Sequence, residues 1–129
     1  MTQFYYLAGL ISVMVMIHSV WSALLFQKKI TFPLKGVLRK WLKLPLVMVF
    51  TLFVHCFEAA VFAAFYYFEG ALPSIEVSMY FSLASYATVG YGDVLLPQGF
   101  RLTGAAEGLI GTLMVSWTVA LLVNYFKEH

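Results

Sequence analysis

Six consecutive residues, Thr88 to Asp93, constrain the fold more than any other part of the chain. They read Thr-Val-Gly-Tyr-Gly-Asp, which places Gly90 and Gly92 at alternate positions. An extended segment that alternates between left-handed and right-handed backbone conformations turns its consecutive carbonyl groups toward one axis, and glycine adopts the left-handed conformations without steric cost. The segment therefore predicts a ladder of backbone oxygens that can bind dehydrated cations.

The other side chains of this segment each have an expected place. Val89 and Tyr91 are expected to point away from the axis, into whatever scaffold holds the ladder open. The Thr88 hydroxyl has acceptor lone pairs and can add one more ring of oxygens below the carbonyls. Asp93 is expected at the mouth, where negative charge concentrates cations. The alternative is a glycine-rich turn between helices, although such a turn would tolerate many other residues.

The composition predicts a membrane protein. The 129 residues are 62% hydrophobic and have a mean hydropathy of +0.86, which is too apolar for an ordinary soluble domain. Residues 4–26, 44–68 and 103–126 are each long enough to cross about 30 Å of hydrocarbon as a helix. Residues 74–87 are too short to cross, and the irregular backbone after them is allowed in a membrane only where it is buried or lines a wet cavity.

The expected fold class is therefore an all-α multi-pass membrane protein. It is expected to have three transmembrane helices and a re-entrant hairpin, formed by a short helix and the extended segment after it. Ser74 follows Pro73 and is the expected N-cap of the short helix, with Glu76 in the first turn beside the positive end of the helix dipole.

The motif and its flanking helices resemble the pore module of the potassium channel family. The resemblance covers residues 44–127, with an outer helix at 44–68, a pore helix at 74–87, a filter at 88–93 and an inner helix at 103–126. Residues 1–27 would be an extra N-terminal transmembrane helix, and residues 28–43 a basic cytoplasmic interfacial segment. The chain is thus similar to small prokaryotic potassium channels with one helix added.

The resemblance implies a channel that conducts K⁺ selectively and passively. One chain offers one filter strand and a ring of oxygens needs four, so a four-fold homotetramer is expected. K⁺ would be the permeant ion, and we expect no cofactor, no nucleic-acid partner and no enzyme activity. Two alternatives stay open: a non-conducting regulatory or structural membrane subunit, and a weakly selective cation channel.

The resemblance also assigns roles outside the filter. Gly111 matches the position at which inner helices of the family bend, although Gly104, Gly108 and Gly111 share one face and are equally explained as packing glycines. The expected cavity lining consists of Thr112, Val115, Val119, Ala120 and Val123. Tyr80, Phe81 and Ala84 stand where many members of the family have tryptophans and an acid, which puts the rigidity of the filter in doubt.

The distribution of basic residues predicts the topology. Six of the eight lysines and arginines lie between residues 28 and 43: Lys28, Lys29, Lys35, Arg39, Lys40 and Lys43. The positive-inside rule makes this segment cytoplasmic, which places the N-terminus outside and the C-terminus inside a prokaryotic inner or plasma membrane. The same residues are expected to contact anionic lipid through an interfacial helix, the alternative being a basic loop. A cleaved signal peptide is the alternative for the first helix.

A polar contact is expected behind the filter. Glu107 lies in the outer part of the inner helix, and intramembrane carboxylates are usually paired or turned to the protein interior. We expect Glu107 to hydrogen-bond Ser82 or Ser85 and to support a filter that lacks an acid at Ala84. The alternative is a shallow glutamate whose carboxylate reaches the lipid headgroups.

Three further polar residues are expected at one depth. His18 and His55 each lie about 21 Å from the outer membrane surface by helix rise, and Glu58 is one turn from His55. The hypothesis is that His18 meets the other two, which docks the first helix against the pore module and forms a site able to protonate between pH 5 and 8. A His-x-x-Glu pair also suits a transition metal, although the sequence supplies no clear further ligands. Three separately satisfied side chains are the remaining alternative.

Overall fold

The computed structural model describes residues 2–27 and 36–127, which are almost entirely helical. In chain order the elements are α1 (Thr2–Phe26), α2 (Gly36–Phe68), α3 (Ile75–Tyr86), a short 3-10 helix (Gln98–Phe100) and α4 (Arg101–Lys127). Three segments, Phe4–Phe26, Trp41–Phe68 and Gln98–Tyr125, are long and apolar enough to cross a membrane. The all-α fold with three such helices is therefore confirmed.

The outer helix begins earlier than the sequence predicts. It was expected at residue 44 after a separate basic segment, but α2 begins at Gly36 and continues through Pro45. Leucine, arginine and lysine favour a helix, so the residues before Pro45 join it even though the proline cannot donate the bond to the Trp41 carbonyl. Part of the basic segment at 28–43 is thus one helix with the outer helix. Residues 28–35 lie outside the described residues.

The length of α2 shows how it relates to a bilayer. Its 33 residues make a helix about 50 Å long, while a hydrocarbon core is about 30 Å thick. The apolar span begins only at Trp41. The turns from Gly36 to Lys40 therefore extend beyond the part that is apolar enough for lipid.

The start of α3 is fixed by its first residues. The Ser74 hydroxyl accepts a hydrogen bond from the Val77 backbone N–H at 3.2 Å, and the Ser74 backbone is extended. The Ser78 hydroxyl donates to the Ser74 carbonyl at 2.9 Å. Glu76 lies in the first turn, where an acid complements the helix dipole. The predicted N-cap of the pore helix is confirmed.

The short helix α3 is held between the two long helices of the same module. It packs against α2 and α4, while α1 packs against α4 and α2. Phe62 and Tyr66 of α2 are the largest fully buried side chains in this core, and they join Ile110 and Met114 of α4. The core therefore packs against one side of α3, which in turn positions the segment that follows it.

Glycines of α4 allow the closest of these approaches. A Cβ atom on Gly111 would lie 2.1 Å from the Tyr86 carbonyl oxygen, and one on Gly108 would lie 3.3 Å from the Ser85 carbonyl oxygen. A Cβ on Gly104 would lie 2.7 Å from a methyl group of Leu96. These contacts account for the glycine face through packing, and the hinge at Gly111 stays a prediction.

Replacing Gly111 with alanine is expected to destabilise the fold. The added methyl group cannot fit against the Tyr86 carbonyl, so α4 and α3 must separate, at a cost of about 1–3 kcal/mol. Gly9 is the matched control, because it lies in α1 with nothing within 4 Å of its added Cβ. Thermal unfolding of the detergent-solubilised proteins, followed by circular dichroism, should show a lower midpoint for Gly111→Ala than for the unmodified protein. The midpoint of Gly9→Ala should not be lowered. Equal midpoints for Gly111→Ala and the unmodified protein would contradict the packing role.

Candidate functional site

The segment after α3 has an alternating backbone. Thr88, Gly90 and Gly92 have φ angles of 58°, 54° and 78°, all in the left-handed region. The residues between them, Val89 and Tyr91, do not have positive φ. An alternation of this kind is the backbone that the glycine spacing predicts, and in an extended segment it turns successive carbonyl groups toward one axis.

Thr88 departs from what the sequence suggests. Glycine was expected at the left-handed positions, yet a β-branched residue takes the first of them. Such a conformation costs on the order of 1–3 kcal/mol and persists only where the surrounding structure imposes it. Nothing in the identity of Thr88 signals it, because threonine has no intrinsic preference for this region.

Hydrogen bonds to the last turn of α3 hold the beginning of the segment. The Thr88 N–H donates to the Ser85 carbonyl at 2.9 Å. The Val89 and Gly90 N–H groups both donate to the Ala84 carbonyl, at 2.8 and 3.1 Å. These bonds continue from the helix into the segment and account for part of the backbone polar groups that leave regular structure.

The end of the segment is held by Tyr80 of α3. The Tyr80 hydroxyl donates to Asp93 Oδ2 at 2.6 Å, and its ring stacks on Tyr91 with the ring centroids 6.4 Å apart. This hydrogen bond holds the pKa of Asp93 below its usual value, and the same bond raises the pKa of Tyr80. The Val94 N–H also donates to Asp93 Oδ1, at 3.1 Å. Tyr80 therefore fixes the position of Asp93, a contact that the sequence did not predict.

All six residues of the segment are exposed in the single chain. Val89 and Tyr91 retain 51% and 71% of their accessible surface. Apart from the stacking on Tyr80, the scaffold expected around these two side chains is not provided by the part of the chain that the structure describes. The segment therefore presents its outer side for contact with other molecules.

The expected cavity residues of α4 form an exposed stripe. Thr112, Val115, Val119, Ala120 and Val123 are all exposed in the single chain. The opposite face of the helix is buried, with Ile110, Met114, Leu121 and Tyr125 in the two apolar clusters. Thr112 satisfies its hydroxyl within the helix by donating to the Gly108 carbonyl at 3.0 Å. The stripe is thus free to face a pore or a neighbouring chain.

Glu107 is fully buried, but its hydrogen bond comes from a residue that the sequence did not indicate. The Tyr66 hydroxyl of α2 donates to Glu107 Oε2 at 2.9 Å. Ser82 is also fully buried and lies close enough to interact with the carboxyl group. However, Ser82 Oγ and Glu107 Oε1 have no hydrogen-bond partner among the described residues. The carboxyl group is therefore enclosed by the protein rather than exposed at its surface.

His18, His55 and Glu58 are brought together by α1 and α2. His18 Nδ1 lies 2.9 Å from Glu58 Oε1, and His55 Nδ1 lies 3.1 Å from Glu58 Oε2. The rings of the two histidines are 5.6 Å apart between centroids. The three side chains therefore contact one another and are not satisfied separately.

Two residues from the remaining helices join this cluster. The Tyr86 hydroxyl of α3 donates to Glu58 Oε2. Thr118 of α4 lies 3.0 Å from His55 Nε2 and 3.3 Å from His18 Nε2. Neither residue could be identified from the sequence, because their participation depends on how α3 and α4 are rotated. Together the five side chains form what we call the polar cluster.

The polar cluster is also the group with the geometry for a metal ion. His18, His55 and Glu58 each offer one ligand atom, and these atoms lie within 4.8 Å of one another. Imidazole nitrogen and carboxylate oxygen are ligands that transition metals accept.

Little of the expected lipid contact can be located in the structure. Lys28, Lys29 and Lys35 lie outside the described residues, as do the side chains of Arg39 and Lys40. The Lys43 ammonium group lies 4.7 Å from the centroid of the Tyr125 ring, over its face. This contact joins the beginning of α2 to the end of α4.

Comparison with known proteins identifies the family. Residues 46–128 match a family described as an ion channel, and the match covers more than half of the chain. No match was found among curated proteins or among solved structures. The matched region contains most of α2, all of α3, the filter segment and α4, and it leaves α1 outside. Two long apolar helices, a short helix between them and the exposed segment at residues 88–93 are the parts of such a module that the structure shows. The chain belongs to this ion channel family of two-transmembrane, potassium-channel-like pore modules.

Proposed function

We propose that this ion channel conducts K⁺ selectively and passively through a pore lined by Thr88, Val89, Gly90, Tyr91 and Gly92. The observation that carries the proposal is the alternation of positive φ at Thr88, Gly90 and Gly92 within the sequence Thr-Val-Gly-Tyr-Gly-Asp. Carbonyl groups turned to one axis can replace the hydration shell of K⁺ one layer after another. Asp93 would raise the local cation concentration at the mouth.

The pore is proposed to consist of four copies of the chain. A cation inside a filter needs oxygens on all sides, and one chain provides them on one side only. The exposure of residues 88–93 and of the stripe on α4 supports this assembly, because both surfaces would be covered or would line water in a closed ring. Closed cyclic symmetry repeats the same contact four times and leaves no unpaired surface of this kind.

The orientation follows from the charge distribution. A cytoplasmic position for the basic segment puts the N-terminus and Asp93 outside and the end of α4 inside the cell membrane. Lys28, Lys29, Lys35, Arg39, Lys40 and Lys43 would then be near anionic headgroups of the inner leaflet. In the potassium channels that the motif resembles the mouth of the filter faces outward, and this resemblance is a second reason for the same orientation.

Selectivity is tested by reversal potentials in planar bilayers that contain the purified protein. The reversal potential is expected to follow the K⁺ gradient and to respond little to Na⁺. A comparable response to Na⁺ would support a weakly selective cation channel instead. The absence of any single-channel current from correctly assembled protein would support a non-conducting subunit.

Substitution of Gly90 by alanine is expected to abolish the K⁺ current. Gly90 has a φ of 54°, and the left-handed conformation costs about 1–2 kcal/mol per residue once a Cβ is present. Gly70 is the matched control, since its φ is 67° and a Cβ there also meets open space, but it lies in the turn after α2. Gly70→Ala therefore carries the same backbone strain outside the filter and should keep the current. Loss of current in both variants, or in neither, would refute the role of the Gly90 backbone.

Removal of the Tyr80 hydroxyl is expected to make the filter less rigid, so that the K⁺ current inactivates faster at neutral pH. The hydrogen bond to Asp93 lowers the pKa of that carboxyl group, so its stabilising effect is present at neutral pH and is lost as the pH falls through the pKa of the folded state. External acidification should therefore make the unmodified channel behave like Tyr80→Phe, while the variant itself should change less. Inactivation rates measured in bilayers over a range of external pH would show this.

Tyr67→Phe is the control for this measurement. Tyr67 is 42% exposed on α2, and its hydroxyl makes no hydrogen bond to the residues that the structure describes. Its removal should leave both the inactivation rate and its pH dependence unchanged. If Tyr80→Phe behaves like this control, the contact with Asp93 does not stabilise the filter.

A further inference from the structure

The polar cluster contains a closed ring of side chains at the meeting point of the four α-helices. Glu58 contacts His18, His18 contacts Thr118, Thr118 contacts His55, and His55 contacts Glu58 again. His18 and Glu58 have fully buried side chains, and 14% of the His55 side chain is exposed. The proposed ion pathway does not use this ring, so its presence in an apolar environment needs another explanation.

The ring has fewer protons than contacts. Its four contacts each need one proton. An ionised Glu58 supplies none, each neutral imidazole supplies one, and the Thr118 hydroxyl supplies one, which makes three. One contact would then bring two acceptors together, and an unsatisfied contact of this kind is costly in a buried site.

We propose that a divalent transition-metal ion such as Zn²⁺ binds in this ring. Each of His18, His55 and Glu58 offers one ligand atom within 4.8 Å of the other two. We assign the ligands as the Nδ1 atoms of the two histidines, which both face the Glu58 carboxylate. Zinc bonds to such atoms are about 2.0–2.2 Å long, so ligand atoms in a tetrahedral site are separated by about 3.4 Å. The present separations of 2.9 and 3.1 Å between the imidazoles and Glu58 are close to that value. Only a small outward movement is needed to admit the ion.

The metal ion would remove the shortage of protons. An imidazole that binds a metal through Nδ1 carries its proton on Nε2, and that proton requires an acceptor. Both Nε2 atoms face the Thr118 oxygen, at 3.0 and 3.3 Å. A hydroxyl oxygen has two lone pairs and can accept from both rings.

Tyr86 completes the surroundings of the ion. Its hydroxyl donates to Glu58 and lies 3.0 Å from His55 Nδ1. It can therefore orient the carboxylate or move into a fourth ligand position, and four ligands are usual for structural zinc.

The buried charge of the site also favours a dication. Glu58 is fully buried, and no lysine or arginine is buried among the side chains that the structure describes. A dication bound to an ionised Glu58 would offset its negative charge, which reduces the cost of placing that charge in a bilayer. Imidazole ligands select transition metals over Mg²⁺ and Ca²⁺.

A metal ion in this position would give α1 a defined role. It would connect His18 of α1 directly to α2 and, through Tyr86, to the end of the pore helix two residues before Thr88. The extra helix would then be fastened to the part of the channel that supports the filter. This inference does not depend on which ion the pore conducts.

The site is tested on the full-length channel, purified in detergent without a polyhistidine tag. Inductively coupled plasma mass spectrometry is expected to find one zinc ion per chain. Removal by a chelator should lower the thermal midpoint, and added Zn²⁺ should restore it. Replacement by Co²⁺ should give the visible absorption of a four-coordinate nitrogen and oxygen site. These measurements use the unmodified protein and do not depend on whether a variant folds.

Variants then locate the ion. His18→Gln and Glu58→Gln should abolish stoichiometric zinc. Thr118→Val, which removes the acceptor for both imidazoles, should weaken binding about 10-fold to 100-fold. Thr51→Val is its matched control, because Thr51 is also buried but donates within α2 to the Val47 carbonyl at 2.8 Å. Zinc affinity should be unchanged in that control.

Three results would overturn the proposal. The first is unmodified protein that neither retains zinc nor gives the Co²⁺ absorption. The second is a thermal midpoint that responds to pH but not to metal or chelator, which would mean that a shared proton completes the ring. The third is stoichiometric zinc that persists in both His18→Gln and Glu58→Gln, which would place the ion elsewhere on the chain.

Discussion

Backbone that leaves regular structure inside an apolar medium must still satisfy its hydrogen-bonding groups, and this constraint governs the region after α3. The Ala84 carbonyl accepts from the N–H groups of both Val89 and Gly90, and the Ser85 carbonyl accepts from Thr88. These bonds use N–H groups of the segment, so they do not occupy its carbonyl oxygens. The pore helix thereby fixes the segment while leaving the groups that would bind a cation free for that purpose.

The strained start of the segment requires that α3 itself be held firmly. A left-handed Thr88 is maintained only by rigid surroundings. The backbone of Tyr86 is pressed against Gly111 at a separation that excludes even a methyl group, and its hydroxyl bonds Glu58. At the other end of the helix the Ser74 cap fixes the first turn. The glycine face, the polar cluster and the cap therefore all act on one twelve-residue helix.

The sequence predicted the features that depend on local chemistry. Hydropathy and length located the spanning helices, Pro73 and Ser74 located the start of α3, and the glycine spacing indicated the alternating backbone. Depth counting placed His18 beside His55 and Glu58 because helix rise is nearly constant. The features that the sequence did not predict depend on helix rotation or on tertiary context. Helix rotation decides the hydrogen bond from Tyr66 to Glu107 and the participation of Tyr86 and Thr118 in the polar cluster. Tertiary context decides the left-handed conformation of Thr88 and the start of α2 at Gly36.

The polar cluster explains how α1 can dock at all. Lipid is as apolar as leucine, so burying an apolar helix face against another helix provides no hydrophobic driving force in a membrane. The buried side of α1 includes Leu10, Met14 and Leu25, which pack well but have no preference for protein over lipid on polarity alone. His18 is different, because an imidazole in hydrocarbon lacks the partners that Glu58 and Thr118 supply. The position and rotation of α1 are therefore set by its one buried histidine more than by its apolar surface.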